Sequence, residues 1–151
     1  MIFAADRMLG KLAKWLRLLG YDTLYCNSLC DEKFLALAQE GRVLLTRNTK
    51  LTGKVGHGRL VFVQANDPMA QLKEIIHGLG LKPDPSRFFD RCTICNCVLD
   101  NVDAAEVLGS VPEYVWRVHD RFSRCRSCGR IYWPGSHLKR SRARIESLLG
   151  P

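Results

Sequence analysis

The chain has 151 residues, 46% of them hydrophobic and 25% charged, globular proportions that exclude a disordered chain and a fibrous repeat. Lys and Arg number 23 against 15 Asp and Glu, a net of +8, and the span from Arg117 to Arg144 holds nine basic residues against one acid, Asp120. Such a field attracts a polyanion, of which nucleic acid is the commonest, or else is a solvated basic face. No stretch approaches the roughly 18 apolar residues of a membrane span. The N-terminus has no basic run ahead of an apolar core, so a cytoplasmic protein is expected.

In chain order, residues 2–5 form a short apolar run closed by Asp6, the pattern of a buried strand with an acid at its end. Met8, Leu9, Leu12, Leu16 and Leu19 then recur at helical spacing, with Gly20 as the stop. Residues 23–26 read as a second strand, and Asp31 opens a short helix closed by Gly41. Residues 43–46 and 60–63 read as third and fourth strands. Asp67-Pro68 is a cap followed by proline at the first helical position, opening a helix that carries Leu72, Ile75 and Ile76. Strands alternating with helices predict an α/β fold, a parallel sheet flanked by helices. Ligands of such sheets sit beyond the carboxyl ends of the strands, which puts Asp6 and the residues after Thr46 on the functional edge.

The character changes after Leu81. The expected division is a first domain over residues 1–81, a Pro-rich linker over 82–90, and a small domain over 91–151 that ends in a basic helix carrying Arg144, Ile145 and Leu148. Cys92-Thr93-Ile94-Cys95 and Cys125-Arg126-Ser127-Cys128 are two C-x-x-C pairs, the spacing that closes a tetrahedron of thiolates around Zn²⁺. A domain this small needs such a metal to fold, and four thiolates leave no open position, so the zinc is expected to be structural. The long gap between the pairs suggests a hairpin insert, and Gly129 suits a knuckle that requires positive φ. Cys97 is expected to be a bystander, and a redox role fits poorly because the pairs lie outside the βαβ region. Arg124, Arg126 and Arg130 bracket the second knuckle, followed by Tyr132-Trp133, His137, Lys139 and Arg140. Arginines reach phosphates and aromatic rings stack unpaired bases, although at least one ring of the Tyr-Trp pair is expected in the small core. His137 either orients a phosphate or caps the last helix.

Hydrolysis of a phosphodiester without a covalent intermediate usually calls for Mg²⁺ or Mn²⁺ held by carboxylates. Asp6 and Asp31 can converge at the sheet edge, and Asn48 stands where a third acid is expected after Thr46-Arg47. Asp31 has a helix-cap reading, as does Asp67, and Asp22 a turn reading.

These blocks in order resemble the mutator-seven C-terminal RNase domain family, a PIN-like nuclease fold followed by a zinc ribbon. The resemblance is carried by Phe3 to Leu12, Trp15-Leu16-Arg17, Leu19-Gly20-Tyr21-Asp22, Gly41 to Arg47, Cys92 to Asn96, and Cys128 to His137. It implies a metal-dependent ribonuclease in which Asp6 and Asp31 match metal-binding acids. Asn48 departs from the usual aspartate, which shifts the burden to Asp22 or Asp67 or leaves a protein that binds RNA without cutting it. Arg17 and Arg47 are expected to hold the scissile phosphate or to pair with a structural acid. The leading expectation is an endoribonuclease dependent on Mg²⁺ or Mn²⁺. The alternatives are an RNA-binding module without catalysis and a scaffold whose ribbon docks a protein partner.

Overall fold

A computed structural model describes residues 1–150, which form two compact units, Met1–Asn96 and a second beginning at Cys97. The first is built on a parallel four-stranded sheet of β1 (Ile2–Asp6), β2 (Thr23–Cys26), β3 (Arg42–Thr46) and β4 (Leu60–Phe62), in the order β2-β1-β3-β4. Helix α1 (Gly10–Leu18) joins β1 to β2, α2 (Asp31–Ala36) joins β2 to β3, and α3 (Pro68–Gly78) follows β4. The chain reverses direction across β1, so the topological switch point lies at its carboxyl end.

Side-chain alternation divides the core between the two faces. Ala4 and Leu44 face Phe34 and Ala38 from the α2 region, with Leu51 completing the cluster. Phe3, Ala5 and Leu45 point the other way, where α1 packs on α3 and contributes Leu12 and Leu16. Each of these large side chains is fully buried, a gain of about 1.5–3 kcal/mol apiece before chain entropy is charged against it.

The first unit runs past the turn-rich stretch where the sequence suggests a join. Gly20 explains why. Its φ is +86°, and a Cβ there would lie 2.7 Å from the Arg87 carbonyl oxygen, so only glycine lets the later segment come so close. The Gly20 carbonyl accepts from Arg87 Nη2 at 3.2 Å and Arg91 Nε at 3.0 Å, while Phe89 N–H donates to Leu18.

The second unit holds an antiparallel sheet of β5 (Asp100–Val102), β6 (Phe122–Arg124) and β7 (Ile131–Tyr132), in that order. Between β5 and β6 lie two short helices, α4 (Ala104–Val107) and α5 (Glu113–Val118), in place of the expected hairpin. A capping box starts the first of them, Asp103 N–H donating to the Glu106 carboxylate at 2.8 Å. Val107, Val111, Val115 and Phe122 form a small core, with Trp116, Ile131 and Trp133 packed against it. The last helix, α6 (Ser136–Leu149), begins well before the apolar pattern that signalled it and buries Ile145 completely. No helix of the described residues is long and apolar enough to cross a membrane.

Candidate active edge and cysteine cluster

Asp6 closes β1 and is 8% exposed. Its Oδ1 accepts from Met8 N–H at 2.9 Å, capping the 3-10 turn Arg7–Leu9. Its Oδ2 accepts from the Thr46 hydroxyl at 2.5 Å and from Arg47 N–H at 2.9 Å. The strand-end acid therefore has a folding purpose invisible in the sequence, since it ties the end of β1 to the end of β3. Three donors use three of the roughly four lone-pair positions of a carboxylate and fix its orientation. Cys26 is its register partner on β2. Burial pushes that thiol up and Asp6 adds to the effect, against the pull of Arg42 and Arg17.

Asp31 is exposed in the first turn of α2, at the same end of the sheet, and Cys30 rather than Asp31 is the cap residue. Asn48 follows β3. Its Oδ1 accepts from Lys50 N–H at 3.0 Å, so the oxygen that could ligate an ion already caps the next 3-10 turn. Asp67 caps α3 through Met69 and Ala70 N–H, as its Asp-Pro pattern indicates.

Two expectations need correction. Asp22 does not belong to this edge. It directly precedes Thr23, which pairs with Phe3, and so lies at the opposite end of the sheet from Asp6. There its Oδ1 accepts from Arg42 Nη1 at 2.7 Å and Asn96 Nδ2 at 2.9 Å. Arg17 is not a phosphate ligand at the edge either. It is 5% exposed and donates to the carbonyls of Thr23, Thr93 and Ile94. A helical face carrying lysines and arginines suggests solvent, and only the tertiary carbonyls explain why this one turns inward.

Arg47 lies at the edge but is occupied. Its Nη1 reaches the carbonyls of Val63, Gln64 and Ala65 at 2.7–2.9 Å, and its Nη2 reaches Asn66 Oδ1 at 2.7 Å. The same loop is held from α3. Glu74 accepts from Gln64 and Ala65 N–H, and buried Gln71 donates to the Ala65 carbonyl. Sequence reasoning missed Glu74 and Gln71, whose only signal is a polar position on an otherwise apolar helix face. The edge thus has one buried, pre-oriented acid, one exposed acid and a loop pinned from two sides.

In the second unit Arg126 pairs with Asp100 at 2.6 Å and Arg124 donates to the Glu106 carbonyl at 3.1 Å. Trp133 is the ring of the Tyr-Trp pair packed on the core. Arg130, His137, Lys139 and Arg140 are exposed, and His137 lies inside the first turn of α6 rather than at its cap, which is Gly135.

The ligand atoms of Cys92, Cys95, Cys125 and Cys128 all lie within 4.8 Å of one another, and Cys97 stands outside the group. Tetrahedral zinc with Zn–S bonds near 2.3 Å puts its sulfurs about 3.8 Å apart, so the cluster is consistent with a zinc ribbon. The two knuckles share one geometry. Asn96 has φ +67° and its N–H donates to the Cys92 carbonyl at 2.9 Å, while Gly129 has φ +72° and donates to the Cys125 carbonyl at 2.8 Å. Among the described residues this is the only group of three or more His, Cys, Asp or Glu side chains so gathered.

The fold and the cluster define a mixed α/β domain followed by a ribbon of the four-cysteine kind. The model of the Mut7-C RNAse domain matches residues 1–145, and the chain belongs to that family, which points to a nuclease. The human protein "Exonuclease mut-7 homolog" is 34% identical over 98 residues, covering 61% of this chain and 11% of that relative. The chain therefore spans about a tenth of that relative's length. No solved structure matches.

Proposed function

We propose that this chain is a metal-dependent ribonuclease that cuts RNA at the carboxyl edge of its parallel sheet and holds the substrate with exposed basic residues of its ribbon and α6. The observation that carries the reading is Asp6, a buried acid at the switch point whose orientation three protein donors fix. Magnesium commonly keeps several waters and binds through one or two carboxylates plus substrate phosphates, a need that Asp6 and Asp31 would meet without a third acid. Such an ion would supply an activated water and offset charge growing on the phosphoryl oxygens. Thr46 and Arg47 N–H hold the Asp6 carboxylate in place, and Arg47 keeps the 63–66 loop fixed beside it. The four cysteines would carry a structural Zn²⁺, and chelation should unfold the second unit, whose apolar core is small.

A specific observation favours a second reading. Asn48 carries no charge and its oxygen is already engaged, which suits a domain that binds RNA without cutting it. Cleavage of end-labelled and internally labelled RNA with Mn²⁺ separates the two readings and also tells exonucleolytic from endonucleolytic products. The native chain should cut. Asp6→Asn should slow it about 100-fold or more, because a metal clamp contributes several kcal/mol and each tenfold is about 1.4 kcal/mol. A thermal melt checks that this variant still folds. Asn48→Asp keeps an acceptor for Lys50 N–H and adds a carboxylate, so it should raise the rate. Cutting by Asn48→Asp alone would identify a lapsed site, and binding without cutting by all three would favour the binding module.

A further inference from the structure

The first cysteine knuckle is fastened to the parallel sheet by a network that the proposed reaction does not use. Arg17, buried in α1, donates from Nε to the Thr23 carbonyl at 2.9 Å and from Nη1 to the Thr93 and Ile94 carbonyls at 2.8 and 3.2 Å. Arg91 Nη1 donates to the Asn96 carbonyl at 2.7 Å. The Asn96 side chain accepts from Thr23 N–H and donates to Asp22, both at 2.9 Å. Two arginines thus take three carbonyls of the knuckle, and Asn96 links its end to the start of β2.

The charge is the unusual part. A buried guanidinium normally sits on a carboxylate, because an isolated buried charge is expensive. Among the described residues Arg17 donates to carbonyl oxygens instead. Asp22, an acid whose charge reaches it, already serves Arg42 and Asn96. Thr93 and Ile94, whose carbonyls Arg17 holds, lie between Cys92 and Cys95, so the thiolates of a loaded centre would flank the residues it grips. Zn²⁺ with four thiolates carries a formal charge of −2, so a loaded centre offers Arg17 the partner it otherwise lacks.

We infer that Arg17 is a positioning residue of the zinc centre: it holds the Cys92–Cys95 knuckle in ligating shape through the Thr93 and Ile94 carbonyls and supplies the positive charge that faces its thiolates. Metal occupancy is thereby felt at the start of β2, in the sheet that carries Asp6. The inference rests on the zinc reading above but not on RNA cleavage.

The test uses the full chain. Zinc content is measured after purification, and zinc affinity is measured by competition with a chromogenic chelator for the native chain, Arg17→Met and Arg17→Lys. The Co²⁺-substituted spectrum of each is recorded. Outer-shell partners of metal ligands are typically worth 10- to 100-fold in affinity, and Arg17→Met should lose about that much and shift the thiolate-to-cobalt band. Arg17→Lys restores charge without the planar fork and should recover part of the loss. Equal affinity and an identical cobalt spectrum in folded Arg17→Met would overturn the inference while leaving the zinc reading intact. A native chain without zinc would sink both.

If Arg17→Met does not fold, hydrogen exchange in the native chain decides. Removing zinc should speed exchange at Thr23 N–H, which is bonded to Asn96, far more than at Val63 N–H, which is bonded to Thr46. Equal change at both amides, or none at Thr23, would refute the coupling.

Discussion

Burial alone would raise the carboxyl of Asp22, but hydrogen bonds from Arg42 and Asn96 and the Arg42 charge outweigh it and hold the group below the ordinary carboxylate range. Its folded value is therefore below the unfolded one. The stabilisation is complete above the unfolded pKa of about 3.9 and is lost as pH falls through the folded value. Asp90 behaves oppositely. Burial raises it despite Arg87 and Arg91 nearby, and its Oδ1 is buried with no hydrogen-bond partner among the described residues. Its charged form is a penalty that is full at neutral pH and relieved as pH falls through the folded value. Urea denaturation should therefore show that Asp22→Asn costs about 1.5–3 kcal/mol at pH 7, the range for bonds to charged groups, and much less in acid well below pH 4. Asp90→Asn should cost nothing at pH 7 or stabilise. A pH-independent Asp22→Asn deficit would contradict the assignment.

How far a residue's role could be read from sequence depended on how near its partners lie in the chain. The Asp67 cap is local and legible, since its acceptor oxygen meets N–H groups two and three residues on. The Asp6 acid was legible as a strand-end carboxylate, but two of its three donors come from residues 46 and 47. Two of the three carbonyl partners of Arg17 lie 76 and 77 residues away, and nothing in its neighbourhood along the chain announces them.

At the level of elements, the sheet strands and the first three helices follow the apolar periodicity, because each buries a stripe or a face against the others. The small helices of the second unit bury only one residue each, Val107 and Val115, too few to show a period. Helix α4 has four residues and depends on its capping box. Helix α6 runs over Ser136–Leu149 with Leu138, Ile145 and Leu149 spaced to share one face and mostly basic residues around them. Its early turns therefore carry almost no apolar signal. Ile145 is the one fully buried side chain of the helix, so Ile145→Ala should cost about 2–5 kcal/mol of stability. Trp116 and Trp133 both pack on that unit's core and provide a fluorescence readout. Lys139→Ala on the exposed side should stay within about 0.5 kcal/mol. Three of the sequence blocks that carry the family resemblance, those around Arg17, Asp22 and Asn96, meet in one hydrogen-bonded network. They mark where the first knuckle is anchored, a placement the order of blocks could not convey.

For the molecule as a whole, the charge is distributed differently from what the sequence span suggests. The stretch from Arg117 to Arg144 accounts for the net +8 by itself, yet the fold returns acids to it. The second unit holds nine basic and six acidic residues, a net of +3, and the first holds fourteen and nine, a net of +5. Arg126 and Arg117 pair with Asp100 and Glu113, so a phosphate would have to displace a carboxylate to reach either. Exposed Arg130, Lys139 and Arg140 are better placed to meet a backbone, and the first unit contributes positive field of its own. RNA affinity measured over a salt series should fall linearly on logarithmic axes. For a single strand the slope is about −0.7 per phosphate neutralised, so the double variant Lys139→Ala and Arg140→Ala should flatten it by about 1.4. Substituting Arg126 should change the slope less, since its charge is already shared with Asp100. An affinity indifferent to salt would mean that the positive charge of both units serves folding and solubility and that RNA is not what they hold.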